Sequence, residues 1–232
     1  MYVYLKFRPM NVHFFTFNIF QERCYVAWDD NGTGAVIDPG FSNNDEREEL
    51  YSFIQRSGLT INAILLTHAH FDHIFGAAEA ALHFNAPIYM HPADEVIISE
   101  ANPLLCKTFG LETPSLQAAT DSIRPIADGD EITVGDLKFK VTATPGHTPG
   151  GVCYLETSGK TLFSGDTLFA GSIGRTDNQW ASYDALMDGI FNKLMELDGD
   201  ITVCPGHGPD TSIATERTTN PFLMPFNEPF ED

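Results

Sequence analysis

The 232-residue sequence predicts an α/β (α+β) fold in which two β-sheets pack face to face between outer helices, an αββα four-layer sandwich built as a single domain over residues 1–232. Each half of the chain opens with alternating, strand-like segments and continues into helix-like ones, so the two sheets can share one core while helices cover their far faces. No Gly-, Ser- or Pro-rich run separates the halves, and no repeat of about 20 to 50 residues is evident. An apolar share of 43%, with 12% aromatic residues and 18 Phe, supplies the core that one such domain needs.

Taken in order, the stretch from Val12 to Ile37 alternates in character, breaks at Asp30-Asn31-Gly32 and stops at Asp38-Pro39-Gly40, which reads as strands joined by a tight turn. Asp45 to Ser57 is charged with apolar residues at helical spacing, Ile61 to Leu66 is a short apolar strand, and Ile74 to Phe84 is Ala-rich and helical. Pro87 to Met90 is a further strand. Pro92 to Asp121 mixes helix formers with Pro and Gly and yields no assignment. Glu131 to Thr142 and Val152 to Phe163 read as strand pairs turning at Gly135-Asp136 and Ser158-Gly159, followed by a helix from Tyr183 to Leu197 and a last strand from Ile201 to Cys204.

Thirteen basic against 32 acidic side chains give a formal charge of −19, which repels nucleic-acid phosphates and anionic membrane surfaces. The expected partner is a small molecule, with neither nucleic acid nor membrane involved; bound cations offset the charge locally. Cys24, Cys106, Cys153 and Cys204 are widely spaced and form no C-x-x-C pair, so they read as core thiols. The segment from Met1 to Met10 leads into aromatic residues broken by Asn11, His13 and Asn18 and lacks the uniform apolar run of a secretory signal. No apolar run nears the roughly 18 residues that cross a bilayer, and the expected location is the cytoplasm.

The densest chemistry is Thr67-His68-Ala69-His70-Phe71-Asp72-His73, directly after an apolar strand and before the Ala-rich helix. Residues two apart in extended chain point the same way, so His68 and His70 can converge on one ion while Asp72 and His73, at the following turn, address a second. Three later candidates each lie where a strand gives way to a loop: Pro145-Gly146-His147, Gly165-Asp166-Thr167 and Pro205-Gly206-His207. Glycine permits close backbone approach beside each ligand and proline stiffens the turn. His147 would complete the first site and His207 the second, and the short Asp166 carboxylate can bridge both ions. Imidazole and carboxylate without thiolate suit a labile, water-accessible ion: Zn2+ foremost, with Fe or Mn as further possibilities. His13, His83 and His91 lack this context and read as surface or packing residues.

In this order THAHFDH, PGHTPG, FSGDTLF and PGHGP resemble the metallo-β-lactamase superfamily across nearly the whole chain. FAGSIGRTD, from Phe169 to Asp177, and ERTTNPFL, from Glu216 to Leu223, are similar to the glyoxalase II group and its short single-domain relatives. The resemblance implies the metallo-β-lactamase fold and thioester hydrolysis of the hydroxyacylglutathione hydrolase type. It further implies one ion on His68, His70 and His147, another on Asp72, His73 and His207, and Asp166 between them. Two-domain glyoxalase II enzymes add a C-terminal helical domain and a Lys and Tyr that meet glutathione. Here Asp232 soon follows His207, and Arg175 and Asp177 stand in the substrate loop. Arg175 can hold a substrate carboxylate through a bidentate fork or pair with Asp177 to shape the loop.

Two ions would lower the pKa of a shared water from 15.7 towards about 7 and so generate the nucleophile without a separate base. Asp72 is the expected orienter of that nucleophile, and Asp38 in VIDPG the expected brace behind the ligand loop. GRTD also resembles persulfide dioxygenases, where one iron held by residues such as His68, His147 and Asp166 leaves positions open for oxygen; PGHGP sits closer to the hydrolases. Lactone hydrolysis and a metal-stabilised interaction domain without turnover are the remaining alternatives.

Overall fold

In the computed structural model, which describes residues 10–156, 158 and 161–224, the chain begins with three antiparallel strands, β1 (Asn11–Phe17), β2 (Glu22–Trp28) and β3 (Thr33–Ile37). Helix α1 (Asn44–Arg56) crosses over to β4 (Thr60–Leu65), which runs parallel to β3. Asn43 caps α1 by accepting from the Glu46 N–H at 3.0 Å, and Leu50 and Ile54, one turn apart, bury its inner face. Helices α2 (Phe71–Ile74) and α3 (Ala77–Phe84) lead to β5 (Ile88–Met90), and α4 (Asn102–Phe109) precedes β6 (Ile123–Pro125). These strands form one sheet in the order β1-β2-β3-β4-β5-β6.

The second sheet opens with β7 (Glu131–Val134), β8 (Leu137–Ala143), β9 (Val152–Glu156) and β10 (Thr161–Gly165). A small ribbon of β11 (Leu168–Phe169) and β12 (Ser172–Ile173) follows, and α5 (Tyr183–Gly189) continues through a wider turn at Ile190–Leu194. Then come β13 (Thr202–Pro205), parallel to β10, β14 (Thr211–Ser212) and α6 (Ile213–Thr219), giving the order β14-β13-β10-β9-β8-β7.

Strand periodicity sorts the core into layers. Tyr25, Ala27, Ala35, Ile37, Ala63 and Leu65 of the first sheet meet Phe139, Val141, Val152, Tyr154, Phe163 and Cys204 of the second in one cluster between the sheets. The alternate residues of the first sheet, among them Cys24, Val26, Val36 and Ile64, pack with Leu50, Ile54, Ala77 and Ala80 of α1 and α3. Those of the second, Cys153, Leu162 and Val203, pack with Leu186, Ile190 and Ile213. The result is the αββα sandwich, with all four cysteines buried and free. No helix among the described residues is long and apolar enough to cross a membrane.

The sheets are tied together at one end. The Tyr154 hydroxyl donates to Leu66 O at 2.8 Å, Val152 N to Thr67 O at 2.8 Å, and the Tyr25 hydroxyl to Pro205 O at 2.7 Å. Each bond lands within two residues of a candidate ligand, so the shared core fixes where the ligand loops begin.

Several elements differ from the sequence expectation. Between Val12 and Ile37 there are two turns; the first carries Asn18 at φ 50° and Gln21 at φ 58°, and its Ile19 and Phe20 conceal it within the aromatic alternation. The helix expected from Ile74 to Phe84 begins at Ala77 as α3, and a separate short helix, α2, ends at Ile74. The unassigned stretch from Pro92 to Asp121 contains a 3-10 turn at Pro92–Asp94, a π turn at Ile97–Ala101, α4 and a second 3-10 piece at Gln117–Ser122, so no single period runs through it. The turn at Gly135 joins β7 to β8 as expected; Gly159 of the other expected turn lies outside the described residues, as do residues 1–9 and 225–232.

Candidate metal centre

Asp38 ends β3 at φ 48° and organises the ligand loop that leaves β4. Its Oδ1 accepts from Thr67 N at 2.7 Å, and its Oδ2 accepts from the Thr67 hydroxyl at 2.5 Å and faces His73 Nδ1 at 3.1 Å. The Thr67 oxygen in turn lies 3.1 Å from His68 Nδ1. Because that hydroxyl donates to Asp38, it accepts from His68 Nδ1–H and leaves His68 Nε2 as a lone pair aimed away from the loop. Backbone carbonyls treat two other rings alike: His147 Nδ1 lies 2.9 Å from Arg175 O, and His207 Nδ1 lies 3.1 Å from Phe20 O. In the neutral ring each places the unprotonated nitrogen at Nε2.

The later ligands sit on loops that follow β8, β10 and β13. Gly146, at φ 142°, lets the His147 loop lie against the first turn of α5, where a side-chain carbon would fall 2.4 Å from Leu186 N. A carbon on Gly206 would fall 2.3 Å from Asp166 Oδ1, so the loop carrying His207 also requires a bare backbone.

These loops bring the seven candidate ligands together. Donor atoms of His68, His70 and His147 lie within 4.8 Å of one another, as do those of Asp72, His73 and His207. His70 Nδ1 is 2.9 Å from His147 Nε2, and His73 Nε2 is 3.3 Å from His207 Nε2. Asp166 lies between the groups, with Oδ1 3.4 Å from His73 Nε2 and Oδ2 3.4 Å from His147 Nε2 and 3.7 Å from His207 Nε2. Asp72 Oδ2 is 3.4 Å from His207 Nε2. Two ligand atoms each about 2.05 Å from a tetrahedral cation lie roughly 3.3 Å apart, so these separations suit a shared ion. His68 Nε2 and Asp166 Oδ1 are buried with no hydrogen-bond partner among the described residues. Each such orphan costs about 1–3 kcal/mol unless something takes its lone pair, and a divalent cation does so. The donor set fits two ions.

The protonation pattern without metal follows from burial and charge. Burial holds the His70 imidazole down to about 3 and, with the neighbouring His73 charge, pushes His68 well below its ordinary value. Burial also disfavours the charged forms of His73 and His207, but attraction from the Asp166 and Asp72 carboxylates, with a hydrogen bond from His73 to Asp38 and one from His207 to Asp72, outweighs it and raises both, His73 strongly. The same pairing overcomes burial at Asp166 and holds that carboxyl well below the usual range. Ionised carboxylates and cationic imidazoles thus balance one another in the space where cations would stand.

A family model described as the Metallo-beta-lactamase superfamily matches residues 18–207, ending on His207. This chain belongs to that superfamily. It is 35% identical over 214 residues to the hydroxyacylglutathione hydrolase GloC of Haemophilus influenzae, covering 92% of this chain and 98% of that one. Among solved structures, it is similar to BLEG-1 B3 metallo-beta-lactamase with a TM-score of 0.84 and 34% identity, covering 93% of this chain and all of the other. It is also similar to TTHA1623, described in a di-iron-bound form, with a TM-score of 0.78 and 37% identity, covering 91% and 100% of the two chains. As a superfamily member with these donor clusters, the chain is a metal-dependent hydrolase.

In this metallo-β-lactamase-superfamily chain, three supporting residues escaped the sequence reading. Asp94, 1% exposed, accepts from Ala69 N at 2.8 Å, Thr148 Oγ1 at 3.0 Å and Gly150 N at 2.6 Å, bolting the His68 and His147 loops together. Arg23, 5% exposed, donates to Gly208 O at 2.9 Å and Asp210 Oδ1 at 2.5 Å and so pins the loop beyond His207. Glu22 is fully buried, pairs by backbone with His207, and has both carboxyl oxygens without a hydrogen-bond partner among the described residues; burial pushes its carboxyl up. A Glu-Arg pair at the start of a strand gives no sequence sign of such a place. His13 stacks on Phe53 at 4.3 Å, His83 on Tyr51 at 4.0 Å, and His91 caps the 3-10 turn, all away from the cluster.

Proposed function

We propose that this hydrolase cleaves thioesters with the aid of two divalent cations, zinc first among the candidates, as its likeness to the hydroxyacylglutathione hydrolase suggests. The observation that carries the reading is the pair of donor groups with Asp166 between them, opening on a cleft of about 260 Å³ lined by His70, Asp72, His147, Asp166 and His207. His68, His70 and His147 would hold one ion, Asp72, His73 and His207 the other, and Asp166 both. When bound, the cations lower the pKa of water towards about 7 and draw electron density from a carbonyl oxygen.

The protein's own groups prepare that chemistry. Asp38, Thr67, Arg175 O and Phe20 O fix four imidazoles with a lone pair turned to the centre. Asp72, in the cleft lining, accepts a hydrogen bond from the attacking water and so sets its direction, and Arg175 is a cation of the same lining that an incoming substrate can meet. Water adds its oxygen to the thioester carbonyl carbon, the carbon–sulfur bond breaks, and a carboxylic acid and a thiol leave with no change of oxidation state. The departing thiolate needs little help, because thiol pKa values lie near about 8.5.

The test is thiol release from a panel of thioesters by metal-loaded protein, with lactones and a persulfide alongside. Thioester turnover that a chelator abolishes and added zinc restores is the expected result. Turnover confined to lactones, or oxygen uptake on the persulfide, would replace this reading.

A further inference from the structure

The cleft above the candidate metal centre has two unlike walls. One carries the ligands; the other is apolar and comes from Phe20, Phe71, Leu105, Phe109 and Trp180. Three of these rings form a continuous surface. Phe20 meets Phe71 edge to face with centroids 5.1 Å apart and meets Phe109 at 5.1 Å, while Phe71 and Phe109 stand 6.1 Å apart. They arrive from separate places: the hairpin turn between β1 and β2, the start of α2 and the end of α4. Phe71 is buried beneath, whereas Phe109 stays 50% exposed at the mouth, and Ile19 beside Phe20 is 73% exposed. Rings left exposed at the mouth of a site by the described residues retain apolar surface that a ligand can cover.

Apart from the candidate ligands and the Trp180 indole N–H, the described lining offers two polar side chains, Arg175 and Asn178. Both are engaged within their own loop. Arg175 Nε and Nη2 donate to the two Asp177 carboxylate oxygens at 2.7 and 3.2 Å, and Asn178 Oδ1 accepts from Trp180 N at 2.9 Å. A substrate carboxylate that claimed this Arg would exchange one carboxylate for another, with little net gain.

We infer that the substrate carries an apolar group, a medium alkyl chain or an aryl ring, directly beside the scissile carbonyl, and that Phe20, Phe71 and Phe109 bind it. This deepens the thioester reading and rests on it for the reaction, though not for the binding. At about 260 Å³ the cleft lies just below the roughly 300–1,000 Å³ of ordinary ligand pockets, a size that suits a medium acyl chain or one aryl ring.

The experiment uses the metal-loaded full chain and two thioester series. In one, 2-mercaptoethanol is the fixed thiol and the acyl group lengthens from acetyl to octanoyl, with lactoyl as the polar member; in the other, acetyl is fixed and the thiol lengthens. kcat/KM should rise about fourfold for each methylene buried, levelling off once the cleft is filled, and the series that shows the rise identifies which side of the carbonyl faces the rings. Phe109→Ala should cut the ratio of hexanoyl to acetyl kcat/KM about tenfold. A calorimetric titration with 2-alkanones of four to eight carbons, which keep the carbonyl but cannot be hydrolysed, reads the cleft without turnover. Tightening along the ketone series together with no turnover of any thioester would end the thioester reading and leave the apolar cleft standing. Flat dependence on chain length in both thioester series and in the ketones, or lactoyl preferred over hexanoyl, would overturn the inference.

Discussion

Asp38 is the residue through which one substitution reaches the metal centre without touching an ion. Replacing it by Asn keeps the size and the backbone at φ 48°, a left-handed conformation that Asn adopts as readily as Asp. The native carboxylate accepts on both oxygens, from Thr67 N at 2.7 Å on one side and from the Thr67 hydroxyl at 2.5 Å and His73 Nδ1 at 3.1 Å on the other. The amide of Asp38→Asn has one acceptor. If it keeps Thr67 N–H, its NH2 group confronts the Nδ1–H of a neutral His73, donor against donor. A hydrogen bond to a charged acceptor is worth about 1.5–3 kcal/mol, which corresponds to roughly 10 to 150-fold in the affinity of the ion that His73 holds. The loss should fall on the Asp72, His73 and His207 group and leave the other group less affected, because His73 is a donor in that triad. Competition against a chromophoric chelator resolves the two binding constants, and thioester turnover should decline with the weaker one. Both constants within twofold of the parent protein, with unchanged turnover, would refute the orienting role of Asp38.

Metal loading should also release protons. The folded pKa values of His73 and His207 are raised, so their protonation stabilises the metal-free fold fully below the ordinary value of about 6.5 and is lost as pH climbs through the raised values. A cation needs both rings neutral, whereas His68 and His70, held low by burial, have no proton to give at neutral pH. Calorimetry at neutral pH in buffers of different ionisation enthalpy should therefore find up to two protons released, and affinity should rise with pH above about 6.5; affinity indifferent to pH would contradict this. Asp94→Ala strips the shared acceptor from two N–H groups and a hydroxyl and should cost about 2–4 kcal/mol, lowering the urea midpoint by about 1 M and weakening the His68, His70 and His147 group. An unmoved midpoint would show that the two loops hold their places without it.

What the sequence made legible was whatever local spacing controls. The alternation around Gly135 and the apolar β4 each fit within a dozen residues and stand in the structure where their patterns placed them, and the equally compact run from His68 to His73 lies in the same cluster as His147 and His207. The turn at Asn18 to Gln21 was hidden because Ile19 and Phe20 are apolar for a reason unrelated to strand pairing: Phe20 faces Phe71 and Phe109 at the cleft. The stretch from Pro92 to Asp121 changes pitch three times, which erases any period, yet it supplies Asp94 behind the ligands and Phe109 at the mouth. Glu22 and Arg23 are long-range facts; their partners are His207, Gly208 and Asp210, almost two hundred residues away, and composition in a strand carries no trace of them.

The most direct measurement is the number of metal ions per chain, by elemental analysis of protein saturated with zinc or iron and then freed of excess, before and after Asp166→Ala. Two ions per chain, with the pair disrupted when the carboxylate between them is removed, are what five imidazoles and two carboxylates in this arrangement should hold. No retained ion, or one iron per chain accompanied by oxygen uptake on a persulfide, would contradict it.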